Sequence, residues 1–239
     1  MIGLGTIVNF AAIIVGGIFG MLFGKFVGTR LQDGLTKACG ISVLFIGIAG
    51  ALENMLQVDG NTLTGTGTML IVGCLALGTL VGELLNIERA FERFGQWLKV
   101  KTGNAKDGGF VDAFVSASLT VCIGAMAIVG AIEDGISGNW SILGAKAILD
   151  LIIIMIMTCA MGKGCMFSAI PVGLWQGSVT LLAKLLQPMM TDAALANVSM
   201  VGSVLIFCVG INLVWGKTIR VANMLPAVLF AAVVAFLPI

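Results

Sequence analysis

Charge is scarce in this sequence, and histidine and tyrosine are absent altogether. Only 10% of the 239 residues are Asp, Glu, Lys or Arg, against roughly 25% in an ordinary soluble domain. So small a polar complement cannot cover a globule, and a lipid bilayer is the expected surrounding. Without histidine the chain lacks the commonest general base and the commonest metal ligand. Proton chemistry would have to rest on carboxylates and lysines, and neither a metal nor a cofactor is expected. The net charge of +1 and the lack of a dense basic block argue against nucleic acid as a partner. GxxxxGKS, GxxxxGKT, HExxH and GxSxG are also missing, so no ATPase loop, zinc-protease helix or nucleophile elbow is legible and no enzyme is expected. The six cysteines (Cys39, Cys74, Cys122, Cys159, Cys165 and Cys208) include no CxxC pair and lie in or beside apolar stretches. They read as buried small hydrophobes.

What the sequence has in quantity is long apolar runs. Hydrophobic residues make up 59% of the chain, and the mean hydropathy is +1.09. A membrane helix needs about 20 mostly apolar residues. Eight runs qualify: 5–24, 36–56, 66–85, 110–132, 143–162, 165–187, 197–216 and 221–238. They are long and do not alternate, so helices are expected, since helices satisfy their own backbone hydrogen bonds in lipid. The fold class is therefore all-α: a polytopic membrane helix bundle of about eight transmembrane helices, a single integral membrane domain over 1–239. Met1 to Phe23 lacks a basic segment before its apolar run and is followed by Lys25, so it reads as a retained first span rather than a signal peptide.

The positive charges alternate between connections. The first holds Lys25, Arg30 and, at the start of the next run, Lys37; the third holds Arg89, Arg93, Lys99, Lys101 and Lys106; the fifth holds Lys163; the seventh holds Lys217 and Arg220. The second, fourth and sixth hold only Asp59, Glu133 with Asp134, and Asp192. Basic connections favour the cytoplasmic side, which would leave both termini extracytoplasmic. The third connection also carries Ile87, Phe91, Phe94 and Leu98 at helical spacing. It predicts an amphipathic helix over roughly 86–100 in the cytoplasmic interface, with Trp97 at headgroup depth.

The chain echoes itself. Ile48-Ala49-Gly50-Ala51-Leu52-Glu53-Asn54 closes the second run, and Ile128-Val129-Gly130-Ala131-Ile132-Glu133-Asp134 closes the fourth. The glycines of the first run find a counterpart in those of the third. This pattern predicts a parallel hairpin repeat, with halves at roughly 1–60 and 66–138; transporter folds often place solute sites where such copies meet. Gly16, Gly20 and Gly24 form one smooth stripe, and Gly78 and Gly82 another. Small residues at this spacing let helices approach closely in lipid. Either a tight internal contact or a homo-oligomer interface would use them.

Ionisable residues inside a span are costly and are functional candidates by default. Glu133 closes the fourth run, while Lys146 and Asp150 enter the fifth, four residues apart on one helix face. Asp150 would lie ~10 Å down the helix axis. Lys146 can pair with Asp150 or with Glu133. A salt bridge fixing two helices together and a polar vestibule for a solute or ion both fit this pattern. In the sixth run, Pro171 predicts a mid-helix kink whose freed carbonyls face a polar cavity, with Gln176 beside it. Asn9 and Asn212 are further buried amides that would join the site.

The stretches GAIEDGISGNWSILGAKAILD, AMGKGCMFSAIPVGLWQG and VANMLPA resemble the YqgA/YdfK-like family of multi-pass bacterial inner-membrane proteins, a domain-of-unknown-function family. The spacing of Glu133, Gly135, Gly138, Lys146 and Asp150 carries most of the likeness, which covers essentially the whole chain. The resemblance implies a prokaryotic plasma-membrane protein and supplies no substrate. Taken with the buried charges, the expectation is a transporter or channel passing a small solute or ion across the bacterial inner membrane. The alternative is a homo-oligomeric binding or assembly module in the membrane without transport.

Overall fold

The computed structural model describes residues 1–26, 28–59, 62–123, 125–189 and 191–236. Residue 60 at the end of the first expected half, residue 124 in the fourth expected span, and residues 237 and 238 at the end of the eighth lie outside these ranges. Among the described residues the regular structure is helical, apart from one short antiparallel strand pair, Leu56–Asp59 with Thr62–Gly65.

Among the described residues, five helices are long and apolar enough to cross a membrane. They are α1 (Leu4–Gly24), α2 (Thr29–Met55), α3 (Thr68–Leu85), α7 (Ser141–Met161) and α10 (Asp192–Trp215). Three of the eight expected spans take another form. The fourth is a pair, α5 (Phe110–Cys122) and α6 (Ala125–Ser137), bent by 62° at the join. The sixth opens with a 3-10 turn, Lys163–Ser168, continues as α8 (Ala169–Leu181) and ends in the short α9 (Ala183–Leu186). The eighth consists of α11 (Val221–Met224) and α12 (Pro226–Val234). Hydropathy counts apolar residues and does not register where a helix breaks, so by hydropathy alone all eight runs look alike.

The expected amphipathic helix is α4, Ile87–Lys101. Asn86 precedes it with φ 51°, a left-handed conformation that Asn tolerates better than most residues. That residue closes α3 and opens α4 at a new angle. Glu88 in the first turn and Lys99 and Lys101 in the last suit the helix dipole. Phe91 and Phe94 pack on the core while Trp97 stays exposed.

The two glycine stripes seat helices within the chain. A side chain at Gly16 would strike the Leu151 carbonyl, and a Cβ at Gly20 would come within 2.5 Å of the Met155 carbonyl; both neighbours lie on α7. At Gly78 it would strike the Ala227 backbone, and at Gly82 the Asn223 carbonyl. A third close pair joins α2 to α10, where a Cβ at Gly47 would lie 2.5 Å from the Phe207 nitrogen and one at Gly210 would lie 2.7 Å from the Leu44 nitrogen. Lipid offers no hydrophobic gain for helix pairing, so close van der Waals fit of this kind must supply it. Phe45, Leu77, Leu80, Ile148 and Leu174 point outward, as a lipid-facing surface requires. Asn9 and Gln176 are wholly buried.

The contacts sort the helix ends into two groups. Lys217 pairs with Glu88 and Glu92, and Arg220 pairs with Glu83, at one end. At the opposite end Asp134 meets Gly3 and Gly5, and Asn54 meets Ser199. The third and seventh connections, both basic in the sequence, thus share one end of the bundle, the basic end.

Candidate functional site

Four buried polar side chains from three helices meet in the interior. Lys146 and Asp150 lie one turn apart on α7, and their Nζ and Oδ2 atoms are 2.6 Å apart. Lys146 also donates to the Val121 carbonyl at 2.9 Å. Val121 lies in the last turn of α5, where carbonyls have no intrahelical donor because the helix stops. The break between α5 and α6 therefore leaves an acceptor, and the ammonium fills it at the negative end of the α5 dipole. Asn9 on α1 donates through Nδ2 to Asp150 Oδ2 at 3.0 Å and to Gln176 Oε1 on α8 at 3.1 Å. Lys146 and Asp150 are 6% and 3% exposed, so the pair is out of reach of solvent.

Two atoms of this cluster have no partner among the described residues: Asn9 Oδ1 and Gln176 Nε2. Their orientation is set by the neighbours. Turning the Asn9 amide over would press its oxygen against the Asp150 carboxylate. Buried orphans of this kind each cost about 1–3 kcal/mol. Such groups call for a further partner, a strained geometry or a functional role.

Glu133 stands apart from the cluster. It accepts from Asn139 at 3.1 Å in the exposed turn after α6. Its neighbour Asp134 is the buried one, accepting the N–H of Gly5 at 2.9 Å and of Gly3 at 3.2 Å. The start of α1 has no capping side chain of its own, and Asp134 supplies the missing charge there. The signal was present in the sequence: Ala127, Gly130, Ala131 and Asp134 share one face of small residues, all buried, and Glu133 points off it.

Asn212 also lies elsewhere. Its amide clasps the turn after α10, donating to the Ile219 carbonyl at 2.7 Å and accepting the N–H of Thr218 and of Ile219 at 3.0 and 2.9 Å. Pro171 makes no mid-helix kink. It falls in the first turn of α8, where its missing N–H would have had no partner in any case. The irregularity in this segment is the change from 3-10 to α geometry at Ser168 and Ala169.

A separate cavity of about 290 Å³ opens at the basic end. Glu88, Asp112, Ser116, Leu119, Asn212 and Lys217 are among the residues that line it. Glu88 is the residue that sequence reading missed. It is buried, its carboxylate takes Lys217 at 2.9 Å and the Ala222 N–H at 3.3 Å, and its own N–H donates to Asn223 at 2.7 Å. Burial alone would lower the Lys217 pKa, but its hydrogen bonds to Glu92 and Glu88 outweigh that and raise it above the ordinary lysine value. All six cysteines are free. Among the described residues no three His, Cys, Asp or Glu side chains could hold a metal ion together.

Comparison with known proteins agrees with this picture of a membrane bundle. The family model "Protein of unknown function (DUF554)" matches residues 4–236. The chain belongs to that family. It is 28% identical over 232 residues to "Uncharacterized membrane protein YdfK" of Bacillus subtilis (strain 168), covering 97% of this chain and 95% of that one. It is also 28% identical over 232 residues to "Uncharacterized protein YqgA" of Escherichia coli (strain K12), covering 95% and 94%. No solved structure matches the chain. A family match over nearly the whole length, a relative named as a membrane protein and several spanning-length apolar helices make this a membrane protein.

Proposed function

We propose that the chain is a secondary carrier that moves a small solute or ion across the bacterial inner membrane, with its basic end in the cytoplasm and both termini outside. One observation carries the reading. A lysine and an aspartate form an ion pair deep in the bundle, against a carbonyl freed by a broken helix and beside two unpartnered amide atoms. Insertion scales put a charged residue at mid-membrane at about 3 kcal/mol. A hydrophobic pair of the same volume would hold the helices at least as well. Broken helices with free carbonyls at mid-depth are a recurring way to build transport sites.

The cavity supports the same reading, since it opens at the basic end and Ser116 and Leu119 of α5 line it. The cluster itself is sealed, which suits alternating access better than an open pore. With no nucleotide-binding loop in the sequence, the driving force would be a solute or ion gradient. The glycine stripes are spent on internal contacts, so they lend no support to the homo-oligomeric module.

The test is flux into liposomes containing the purified chain, against a panel of ions and small metabolites. Asp150→Asn is expected to remain folded and to lose transport. Uptake at the unaltered rate in that variant would end the proposal.

A further inference from the structure

We propose that the groove between α4 and the start of α5 binds the headgroup of an anionic phospholipid. The inference stands apart from the transport reading, since it needs only a membrane around the chain. It begins with the spacing of charge along α4. Arg89, Arg93, Gln96 and Lys99 follow one another at about one helical turn, and all four line a groove of about 470 Å³. Gly108 and Val111, before and within the first turn of α5, share the lining. A side chain at Gly108 would meet nothing within 4 Å, so the groove is open there.

The charges in this groove are uncommitted. Among the described residues, neither Arg89, Arg93 nor Lys99 forms an ion pair. Their basic neighbours do: Lys217 holds Glu88 and Glu92, and Arg220 holds Glu83. Glu92 also lines the groove, but Lys217 already neutralises it. Asp112 is the remaining carboxylate in the lining. Three free cations against that one carboxylate leave a surplus of positive charge, which a phosphodiester would offset. The two guanidinium groups present planar forks of donors, the geometry that suits phosphate oxygens.

The surroundings select a lipid over a soluble anion. Trp97 lies one turn beyond Arg93 and Val100 nearly two, on the same exposed side of α4. The Trp97 ring stacks on Phe94 with centroids 5.8 Å apart, which holds it in place while much of it stays uncovered. Leu84 and Leu85, exposed at the end of α3, put the apolar layer one turn before Arg89. A tryptophan between a basic row and an apolar margin belongs at headgroup depth. Basic clusters there attract anionic lipid. A free phosphate would gain nothing from Trp97 and Val100. A zwitterionic headgroup would bring a second positive charge into a groove that already has a surplus.

The test titrates the purified full chain in detergent with phosphatidylglycerol and counts bound lipid by native mass spectrometry. Phosphatidylglycerol should be retained in preference to phosphatidylcholine and phosphatidylethanolamine. The Arg89→Gln, Arg93→Gln double variant should bind it about 30-fold more weakly. The Lys25→Gln, Arg30→Gln double variant removes as much exposed charge outside the groove and should bind as the unaltered chain does. Should the arginine variant not fold, Lys99→Gln replaces it, with a loss of about fivefold. Trp97→Ala should also weaken retention, and glycerol phosphate at the same concentration should not displace the lipid. Equal retention of the three lipids overturns the proposal, and so does an equal loss in the two double variants, which would mean diffuse surface charge. Displacement by glycerol phosphate would make the groove a site for soluble anions and overturn it as well.

Discussion

Asp134 Oδ2 accepts the N–H of Gly5 across 2.9 Å, tying the end of α6 to the start of α1 through a wholly buried carboxylate. Charged acceptors at a helix N-terminus satisfy donors that have no other partner. Asp134→Ala strands those N–H groups in the interior. It should destabilise the chain by about 2–4 kcal/mol, seen as a lower melting temperature in detergent. Glu133→Ala removes one exposed bond to Asn139 and should stay within about 0.5 kcal/mol of the unaltered chain.

Glycines on α3 should divide sharply. A methyl group at Gly82 collides with the Asn223 carbonyl, whereas one at Gly73 meets nothing within 4 Å. Gly82→Ala should therefore cost about 1–3 kcal/mol or more through overpacking. Gly73→Ala should be neutral or gain up to about 1 kcal/mol from helix propensity. Parallel thermal unfolding of the two variants checks the contrast, and equal effects would contradict the internal packing of α3 on α11 and α12.

The basic end offers a test in pH. Lys217 is half-exposed and bridges Glu88 and Glu92. Its pKa is raised above the ordinary lysine value of 10.5. A raised pKa means that the folded state holds the proton more tightly than the unfolded one. The stabilisation is complete below 10.5 and fades as pH climbs through the higher folded value. Lys217→Met should lower stability by about 1–2 kcal/mol, a figure reduced for the exposure of the lysine. The gap between variant and unaltered chain should be constant from about pH 7 to about pH 9 and narrow only above the ordinary lysine pKa.

Much of this is legible in the sequence. Lys146 and Asp150 announced themselves because four-residue spacing on a helix leaves few ways to hide two charges in lipid. Asn9 and Gln176 did so because buried amides need partners. The helix break that supplies the Val121 carbonyl was not legible. The run from 110 to 132 is apolar on both sides of the break, and hydropathy averages across it. Glu88 was missed for a related reason: a charged first turn on an amphipathic helix reads as a solvated face, and only the packing of α4 under α11 buries it. Glu133 was preferred to Asp134 because the charge was read by its sequence neighbourhood and not by the helix face it shares.

The central claim is that the Lys146–Asp150 pair serves function and not architecture. Replacing both at once separates the two roles, because a buried ion pair exchanged for apolar residues commonly leaves stability unchanged or improved. The decisive measurement is liposome flux by the Lys146→Met, Asp150→Leu double variant, with its folding verified by thermal unfolding. A folded variant that transports nothing is the result predicted. A folded variant that transports at the unaltered rate would show the pair to be structural and would contradict the claim.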